Sequence, residues 1–360
     1  MPPQIHEWFA VATPGLEPVV HRELVTLGVA GVVSTGGVSF EATLEQGASL
    51  TGVVRTPSRV LLRIVQGRAR SLHQLASLIR SVDWAELVTP GSQIDVAVTA
   101  RRSRLSRREA IGKKVVHAIN DVIRSGPRHL PKLAQRVVVR IEEDFAIVSL
   151  DAGGELLHRR GWRQRGGAAP LRENLAASML VAAGWTGQQA LLDPFCGSGT
   201  IPIEAAQLAC GLHPTHCRGF AWQAWPALSK HRPQKFRRTK TGVVIVVSDK
   251  EASTLTIATD NARIAEVDVK WNHLDVKDIE PPARVGLVAT NPPYGRRLGQ
   301  RVRGVYVHFG RSLQDRFTGW SAIFLAPNRQ LAQAVHPHSE RLTTFANGGI
   351  RVGLFVIASV

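Results

Sequence analysis

The second half of the chain alternates apolar runs with amphipathic stretches, and this alternation restricts the fold more than any other feature. The runs "VVIVVSD", "VGLVATN" and "SAIFLAP" are separated by stretches with helical spacing, such as "STLTIATDNARIAE" and "VHFGRSLQDRF". Strands that are apolar throughout and alternate with helices are typical of a mostly parallel sheet with both faces covered. The pattern predicts an α/β domain over residues 170–360, completed by a hairpin in "LTTFANGGIRVGLFVIAS".

The first half has a different pattern, which predicts two small α+β units in series. Residues 1–58 read as a strand, a helix, a hairpin that turns on a glycine pair, and a helix. Residues 59–154 read as two pairs of strand and helix followed by two strands. The segment at 155–169, "ELLHRRGWRQRGGAA", is basic and rich in glycine. We expect it to connect the two halves of the chain.

The chain is strongly basic, and its charge is concentrated. A formal net charge of +17 and a pI near 11.0 favour a polyanionic partner, with nucleic acid ahead of an anionic membrane surface. Between Arg101 and Arg140, twelve Lys or Arg residues stand against two acids, and further basic clusters occupy residues 230–240 and 296–303. Three clusters of one sign indicate a surface that follows phosphates. The candidate nucleic-acid contacts in the first cluster are Arg101, Arg102, Arg104, Arg107, Arg108, Lys113 and Lys114.

The stretch "SRREAIGKKVVHAINDVIR" within the first cluster predicts a helix with one buried stripe. Its apolar residues recur at helical spacing, so one face of the helix can pack against the protein core while the cations lie on or near the solvent-exposed face. The residues of the expected buried stripe are Ile111, Val115, Ala118, Ile119 and Val122.

The sequence predicts a cytoplasmic protein without a metal. No apolar stretch reaches the roughly 18 residues that span a bilayer, and the N-terminus lacks the pattern of a secretory signal. Three cysteines are too few for a disulfide framework and suit a reducing compartment. The cluster "CGLHPTHC" is a poor zinc site, because adjacent His216 and Cys217 cannot easily both face one ion.

Polar residues follow the strands of the predicted parallel sheet. Ligands of such sheets bind beyond the carboxyl ends of the strands, where Asp193, Asp249 and Asn291 stand. The turn "DPFCGSGT" after the first strand can bring backbone N–H groups close to a ligand. It is not a dinucleotide fingerprint, because Pro202 occupies the place of the third glycine, and it lacks the lysine of a triphosphate loop.

Two further acids extend this arrangement to the neighbouring strands. Asp249 is placed to accept from ribose hydroxyls, or alternatively to cap the next helix. Asp275 would follow a third strand, where it reaches an adenine amino group or is a surface acid. Together these residues outline a pocket for a nucleoside that carries a charged tail without phosphate.

The stretch "TNPPYGRR" raises a separate question, because two prolines follow an apolar strand directly. Prolines cannot donate to a sheet ladder and hold the backbone stiff. A rigid segment that presents an amide and an aromatic ring at a strand end is suited to positioning a planar substrate.

The motifs "DPFCGSGT" at 193–200 and "NPPY" at 291–294 resemble those of the amino-group methyltransferases that use S-adenosylmethionine. The stretches "PGLEPVVHREL", "APLRENLAASML" and "GFAWQAW" resemble the THUMP-domain RNA guanine-N2 methyltransferases, especially the bacterial branch that modifies 23S ribosomal RNA. The likeness covers nearly the whole chain. It implies a Rossmann-like methyltransferase domain at 170–360, with an antiparallel last strand, preceded by a ferredoxin-like unit at 1–58 and a THUMP domain at 59–154.

The resemblance also implies roles for single residues. S-adenosylmethionine is the implied cofactor, with Asp275 at its adenine and Ser248 as a departure from the glycine that relatives often carry before the ribose-binding acid. The implied cofactor contacts at the first two strand ends are Asp193, Phe195, Cys196, Gly197, Ser198, Gly199, Thr200, Asp249 and Lys250. The implied catalytic residues, which hold the reacting base, are Asn291, Pro292, Pro293 and Tyr294.

The expected partner is structured RNA, with 23S ribosomal RNA favoured over transfer RNA. Two other classes of enzyme use the same NPPY motif and are the alternatives for this chain: DNA adenine-N6 methyltransferases and protein glutamine-N5 methyltransferases. The basic stretch argues against a protein substrate, and only the THUMP-like first half argues against DNA. A binding module without catalysis is disfavoured, because it would have no use for the motifs DPFCGSGT and NPPY.

Overall fold

The computed structural model describes residues 4–123, 134–164, 171–215, 218–232, 238–294 and 301–360, which form two seven-stranded sheets. The first sheet has the order β2-β3-β1-β4-β7-β6-β5, and its β5 and β6 pair in parallel while its other pairs are antiparallel. Its strands are β1 (His6–Val11), β2 (Gly31–Ser34), β3 (Gly37–Ala42), β4 (Arg59–Arg68), β5 (Ile94–Arg101), β6 (Gln135–Glu142) and β7 (Phe145–Asp151). Its helices are α1 (Glu17–Thr26), α2 (Leu44–Val53), α3 (Leu72–Arg80) and α4 (Arg108–Val122).

The two α+β units predicted for the first half share this one sheet. Strand β4 pairs with β1 of the first unit and with β7 of the second, and a single hydrophobic core runs under both. The elements themselves agree with the prediction, including the hairpin of β2 and β3 and the buried stripe of α4 at Ile111, Val115 and Ala118. A pattern of strands and helices does not reveal which strands pair, so the continuity of the sheet was not predicted.

The second sheet confirms the predicted methyltransferase-type architecture. It has the order β10-β9-β8-β11-β12-β14-β13, in which β14 runs antiparallel to both neighbours and the strands from β8 to β12 are parallel. Its strands are β8 (Ala190–Asp193), β9 (Ile245–Ser248), β10 (Lys270–Asn272), β11 (Gly286–Thr290), β12 (Ser321–Ala326), β13 (Glu340–Asn347) and β14 (Ile350–Ile357). Its helices are α5 (Glu173–Ala182), α6 (Thr200–Ala209), α7 (Ala252–Ile264), α8 (Arg301–Arg316) and α9 (Arg329–Val335).

Both faces of the second sheet are buried at its central strands β8, β9, β11 and β12, which explains why these strands are mostly apolar. Within β11, Leu287 and Ala289 pack into the core on one face, whereas Val288 packs into the core on the other. Strand β8 lies between β9 and β11. The chain continues from β8 to β9 and β10 on one side of β8, and it then crosses to β11 on the other side. Such a switch point leaves a crevice at the carboxyl ends of the strands. Of the elements here, the seven-residue helix α9 was not predicted.

The two halves of the chain are joined by a segment that leaves the second half and enters the core of the first. This segment follows α6 and contains "GFAWQAW". Its Trp225 stacks on Trp8 with ring centroids 6.3 Å apart, and Trp225 Nε1 donates to Gln135 Oε1 at 2.8 Å. Phe220 and Trp222 belong to the same core. Trp222 is 1% exposed and therefore serves packing at this junction.

A buried ion network lies at the same junction. Glu204 of α6 is fully buried and accepts from Arg160 Nε at 2.9 Å and from Arg55 Nη1 at 3.3 Å. Arg160 belongs to the segment predicted as a connection, and its Nη2 donates to the Arg55 carbonyl at 2.6 Å. The described part of the connection is therefore packed into the junction. Among the described helices, none has the length and apolar content needed to cross a membrane.

Candidate active site

Strand β8 ends at the glycine turn, where the chain reverses tightly into α6. Gly197 and Gly199 have φ values of +53° and +84°, a region that favours glycine. A Cβ at position 199 would lie 3.2 Å from the Ala258 Cβ of α7, so a side chain there would crowd the neighbouring helix. Nothing lies within 4 Å of the Cβ position of Gly197. The turn is thus packed on one side and open at Gly197.

Asp193, at the end of β8, is 1% exposed and is held by the neighbouring strand. One of its oxygens, Oδ1, accepts from the Thr290 hydroxyl of β11 at 2.5 Å and from the Phe195 N–H at 3.2 Å. Burial, together with the nearby negative charge of Asp249, raises the pKa of the Asp193 carboxyl to about 7. A carboxyl group with this pKa can gain or lose its proton near neutral pH, and such groups are characteristic of functional sites.

Asp249 links the end of β9 to the glycine turn. Its Oδ2 accepts from the Gly197 N–H at 3.0 Å, and its Oδ1 accepts from the Glu251 N–H at 3.0 Å. The residue at the N-cap of α7 is Glu251, so the alternative interpretation of Asp249 as a helix cap is wrong. The Ser248 carbonyl accepts from the Cys196 N–H at 3.1 Å and joins the same two strand ends.

Asp275 follows β10, the third strand along the same edge. Its side chain accepts from the Lys277 N–H at 3.1 Å and caps the short 3-10 helix Val276–Asp278. Lys250 is exposed, and its carbonyl is within 2.9 Å of His273 Nε2. The three acids thus follow three adjacent strands, in the spatial order β10, β9 and β8.

Asn291 follows β11 and carries an unsatisfied acceptor. Its Oδ1 is buried and has no hydrogen-bond partner among the described residues. Leaving such a group unpaired costs about 1–3 kcal/mol, so this oxygen is suited to accept from an N–H or O–H of a ligand. Pro292 is buried, and the Tyr294 hydroxyl accepts from Asn347 Nδ2 at 2.7 Å. The hairpin of β13 and β14 therefore holds the tyrosine.

Two residues of the glycine turn have apolar surroundings. The Phe195 ring meets the Phe309 ring of α8 edge to face, with centroids 5.7 Å apart. Cys196 is 6% exposed, and burial raises the pKa of its thiol far above the usual range. A thiol that stays protonated is a poor nucleophile, so Cys196 is poorly suited to covalent catalysis.

The structure also brings residues to this site that the sequence did not single out. Arg163 reaches the glycine turn from the connecting segment, Asn261 Nδ2 of α7 donates to the Ser198 carbonyl at 3.1 Å, and Asn347 holds Tyr294. No motif marks these residues, because they contact the site only through long-range packing. Within the described ranges no three His, Cys, Asp or Glu side chains are grouped to hold a metal, and His216 and Cys217 lie outside those ranges.

The described part of the first basic cluster carries both paired and unpaired cations. Arg102 pairs with Glu142 at 3.0 Å, and Lys113 pairs with Glu109 at 2.7 Å. Five cations of the cluster have no carboxylate within 4.0 Å among the described residues; these are Arg101, Arg104, Arg107, Arg108 and Lys114. Residues 124–133, 233–237 and 295–300, which include parts of all three basic clusters, lie outside the described residues.

Solved structures with the same fold match the chain from end to end. A protein from Listeria monocytogenes, described as a predicted N6-adenine-specific DNA methylase, is 26% identical with a TM-score of 0.86 and covers 99% of this chain and 97% of its own. SMU.472, described as a putative methyltransferase complexed with SAH, is 25% identical with a TM-score of 0.84 and covers 99% of each chain. The fold and the strand-end site define the class of the protein, which is a methyltransferase.

Sequence comparison then gives the family. Residues 160–353 match the RMKL-like methyltransferase domain, and residues 7–61 match the RlmL ferredoxin-like domain. A putative RNA methyltransferase of Synechocystis is 31% identical over 95% of this chain and 94% of its own length. The chain belongs to the RMKL-like methyltransferases.

The ribosomal RNA large subunit methyltransferase K/L of Methylococcus capsulatus is 34% identical over 98% of this chain. The chain spans about half the length of the curated K/L relatives it matches, with 51% of the Methylococcus capsulatus protein and 53% of the one from Syntrophotalea carbinolica.

Proposed function

We propose that the protein transfers a methyl group from S-adenosylmethionine to the exocyclic N2 of a guanosine in structured RNA. The observation that carries this proposal is the buried Asn291 Oδ1, which has no hydrogen-bond partner among the described residues and lies beside the acid-lined strand ends of a methyltransferase fold. The K/L names of the relatives favour 23S ribosomal RNA as the substrate, and transfer RNA is the second candidate. A cytoplasmic location is part of the proposal.

The cofactor would lie along the carboxyl ends of β8, β9 and β10, where the residues fit its parts. Asp193 and the open glycine turn suit the charged methionine part, Asp249 suits the ribose hydroxyls, and Asp275 suits the adenine amino group. S-adenosylmethionine supplies an electrophilic methyl group on a positively charged sulfur. The protein's task is then to hold that methyl group in line with the acceptor nitrogen.

The acceptor side would rely on positioning. A guanine amine is a weak nucleophile, because its lone pair is delocalised into the ring. If Asn291 Oδ1 and the Pro292 carbonyl accept its two hydrogens, the lone pair points at the methyl group, and Tyr294 can pack on the base. Pro293 keeps the segment stiff, so both acceptors are placed before the base arrives. No strong base is required, because the alkylated amine releases its proton readily.

RNA would be held by the first half of the chain, with a ferredoxin-like unit at 1–58 and a THUMP domain at 59–154, a linker at 155–169 and the methyltransferase domain at 170–360. The unpaired cations named above are the proposed phosphate contacts, since cations without carboxylate partners contribute most to a phosphate-binding surface. Arg102 and Lys113, which are paired in the free protein, would exchange partners on binding.

Charge reversal at Arg107 and Arg108 is expected to weaken RNA binding roughly 10- to 100-fold at low salt. The slope of log Kobs against log salt concentration should become less negative by about 1 for each lost phosphate contact. Filter binding over a salt series measures both quantities. The matched control is Arg263→Glu with Lys270→Glu, which changes the net charge equally on the methyltransferase domain. Equal loss in the control would show that net charge alone is responsible.

The raised pKa of Asp193 predicts a pH-dependent stability. The folded protein keeps this proton up to about pH 7, whereas the unfolded chain releases it near pH 3.8, the ordinary pKa of an aspartate carboxyl. The folded state therefore binds more protons in that window, so stability falls as the pH rises through it. Relative to Asp193→Asn, the free energy of unfolding of the wild type should drop by about 2 kcal/mol between pH 5 and pH 7.

Chemical denaturation at the two pH values tests this prediction. Asp268→Asn is the control, because the Asp268 side chain is 96% exposed, and it should follow the wild type. If Asp193→Asn and the wild type have the same pH dependence, the folded protein does not hold a proton on Asp193 in this pH range, and the prediction is wrong.

A DNA adenine-N6 methyltransferase is the second candidate, favoured by the description of the Listeria monocytogenes relative. Incubation with labelled S-adenosylmethionine and separate pools of ribosomal RNA, transfer RNA, DNA and protein, followed by digestion, distinguishes the candidates. N2-methylguanosine from RNA supports the proposal. N6-methyladenine from DNA, or methylglutamine from protein, would replace it.

A further inference from the structure

Arg163 donates hydrogen bonds to two residues of the glycine turn, although it lies in the connecting segment. Its Nη1 donates to the Ser198 hydroxyl at 2.9 Å and its Nη2 donates to the Thr200 hydroxyl at 2.7 Å. On its other side, Nε donates to Glu173 Oε1 at 2.7 Å, and Nη2 also donates to the Leu171 carbonyl at 3.1 Å. One guanidinium thus joins the turn to the start of α5.

The surroundings of Arg163 make these contacts well defined. The Glu173 side chain is 5% exposed and that of Arg163 is 17% exposed, and the guanidinium lies 5.1 Å from the centroid of the Trp162 ring. Ser198 and Thr200 are buried, so their hydroxyl groups need partners within the protein. A planar guanidinium reaches these four acceptors in fixed directions, which the single ammonium of lysine cannot do.

Among the residues that the structure describes, Arg163 is the hydrogen-bond partner of the Ser198 and Thr200 hydroxyl groups. Asn261 holds the Ser198 carbonyl, and Asp249 holds the Gly197 N–H. Neither contact fixes the side chains at positions 198 and 200. The hydrogen bonds from Arg163 to Ser198 and Thr200, called the clamp below, therefore hold the side of the turn that faces α5.

We propose that Arg163 is a positioning residue for the cofactor, which acts by holding Ser198 and Thr200 so that the glycine turn keeps its ligand-accepting shape. This inference rests on the proposed binding of S-adenosylmethionine at that turn. A turn that is ordered before binding loses less conformational freedom when the ligand arrives. The hydrogen bonds from Arg163 should therefore increase the affinity for the cofactor.

The test measures binding of S-adenosylhomocysteine by calorimetry, together with thermal unfolding and methyl-transfer kinetics, on the full chain. For Arg163→Lys we expect Kd and the KM for the cofactor to rise about tenfold, with kcat at saturation changed much less. Arg172→Lys is the matched control, because it is the same conservative substitution at a nearby arginine that is exposed. It should bind like the wild type.

A double-mutant cycle separates the clamp from a general structural role. If Arg163 acts through the turn, Arg163→Lys and Ser198→Ala together should bind no more weakly than the weaker-binding single variant. Fully multiplicative losses, or a Kd for Arg163→Lys equal to that of the wild type, would overturn the inference. If Arg163→Lys does not fold, Ser198→Ala with Thr200→Val removes the same bonds and leaves the Glu173 pair intact, and unchanged binding then overturns it. Failure of the wild type to bind would instead reject the proposed cofactor site.

Discussion

Replacing Asn291 with alanine is expected to reduce kcat for methyl transfer about 100- to 1,000-fold, the usual cost of removing one preorganised polar contact to a reacting group. The physical reason is that Oδ1 is a buried acceptor without a partner in the described protein, placed at the end of β11 beside β8. Without it the amine loses one of its two proposed anchors. Single-turnover transfer from labelled S-adenosylmethionine measures the loss, and the affinities for RNA and S-adenosylhomocysteine should stay at wild-type values.

Two further variants sharpen this experiment. Asn291→Asp keeps an oxygen at the same place and should retain more activity than the alanine variant. Asn328→Ala removes the same side chain after the neighbouring strand β12, where Asn328 Oδ1 accepts from the Leu331 N–H and caps α9. That variant should lose about 1 kcal/mol of stability and no activity. Equal activity of Asn291→Ala and Asn328→Ala would remove the catalytic role of Asn291.

Glu204→Ala is expected to lower the free energy of unfolding by about 3–5 kcal/mol, because it leaves Arg55 and Arg160 as buried charges without their carboxylate. Burial already lowers the pKa of Arg55, and the charge of Glu204 opposes that effect. Both guanidinium groups also donate to backbone carbonyls, which cannot neutralise them. The shift in the midpoint of chemical denaturation measures the effect.

An exposed ion pair provides the control for this prediction. Glu109 pairs with Lys113 one helical turn away, and the two side chains are 82% and 77% exposed. Glu109→Ala should cost about 0.5 kcal/mol or less, since water and salt screen such pairs. If Glu204→Ala and Glu109→Ala shift the midpoint equally, the buried network does not stabilise the junction.

The second half was predictable from sequence because burial on both faces produces an unmistakable pattern. A strand such as β11, whose alternate residues enter different cores, must be apolar throughout. The polar residues that end these strands then stand out, and the parallel arrangement brings Asp193, Asp249 and Asn291 to one edge. Their positions could therefore be predicted without knowledge of the strand order.

The remaining features depend on contacts between residues far apart in the chain. Arg163 lies 35 positions before Ser198, and Asn347 lies 53 positions after Tyr294. Nothing in their local sequence distinguishes them from a solvated arginine or a turn asparagine. The shared sheet of the first half was missed for the same reason, because β4 has two partners and the pattern shows neither.

The tryptophan-rich segment that enters the core of the first half has a consequence for how a target nucleotide would be chosen. Since Trp225 packs on Trp8 inside the core of the first half, a large movement of this segment relative to the first half would break that packing. If the proposed function is correct, the enzyme would methylate the guanosine that lies at a fixed distance from the RNA element bound by the basic surface. Inserting base pairs between these two parts of a substrate RNA should move methylation to another nucleotide or stop it.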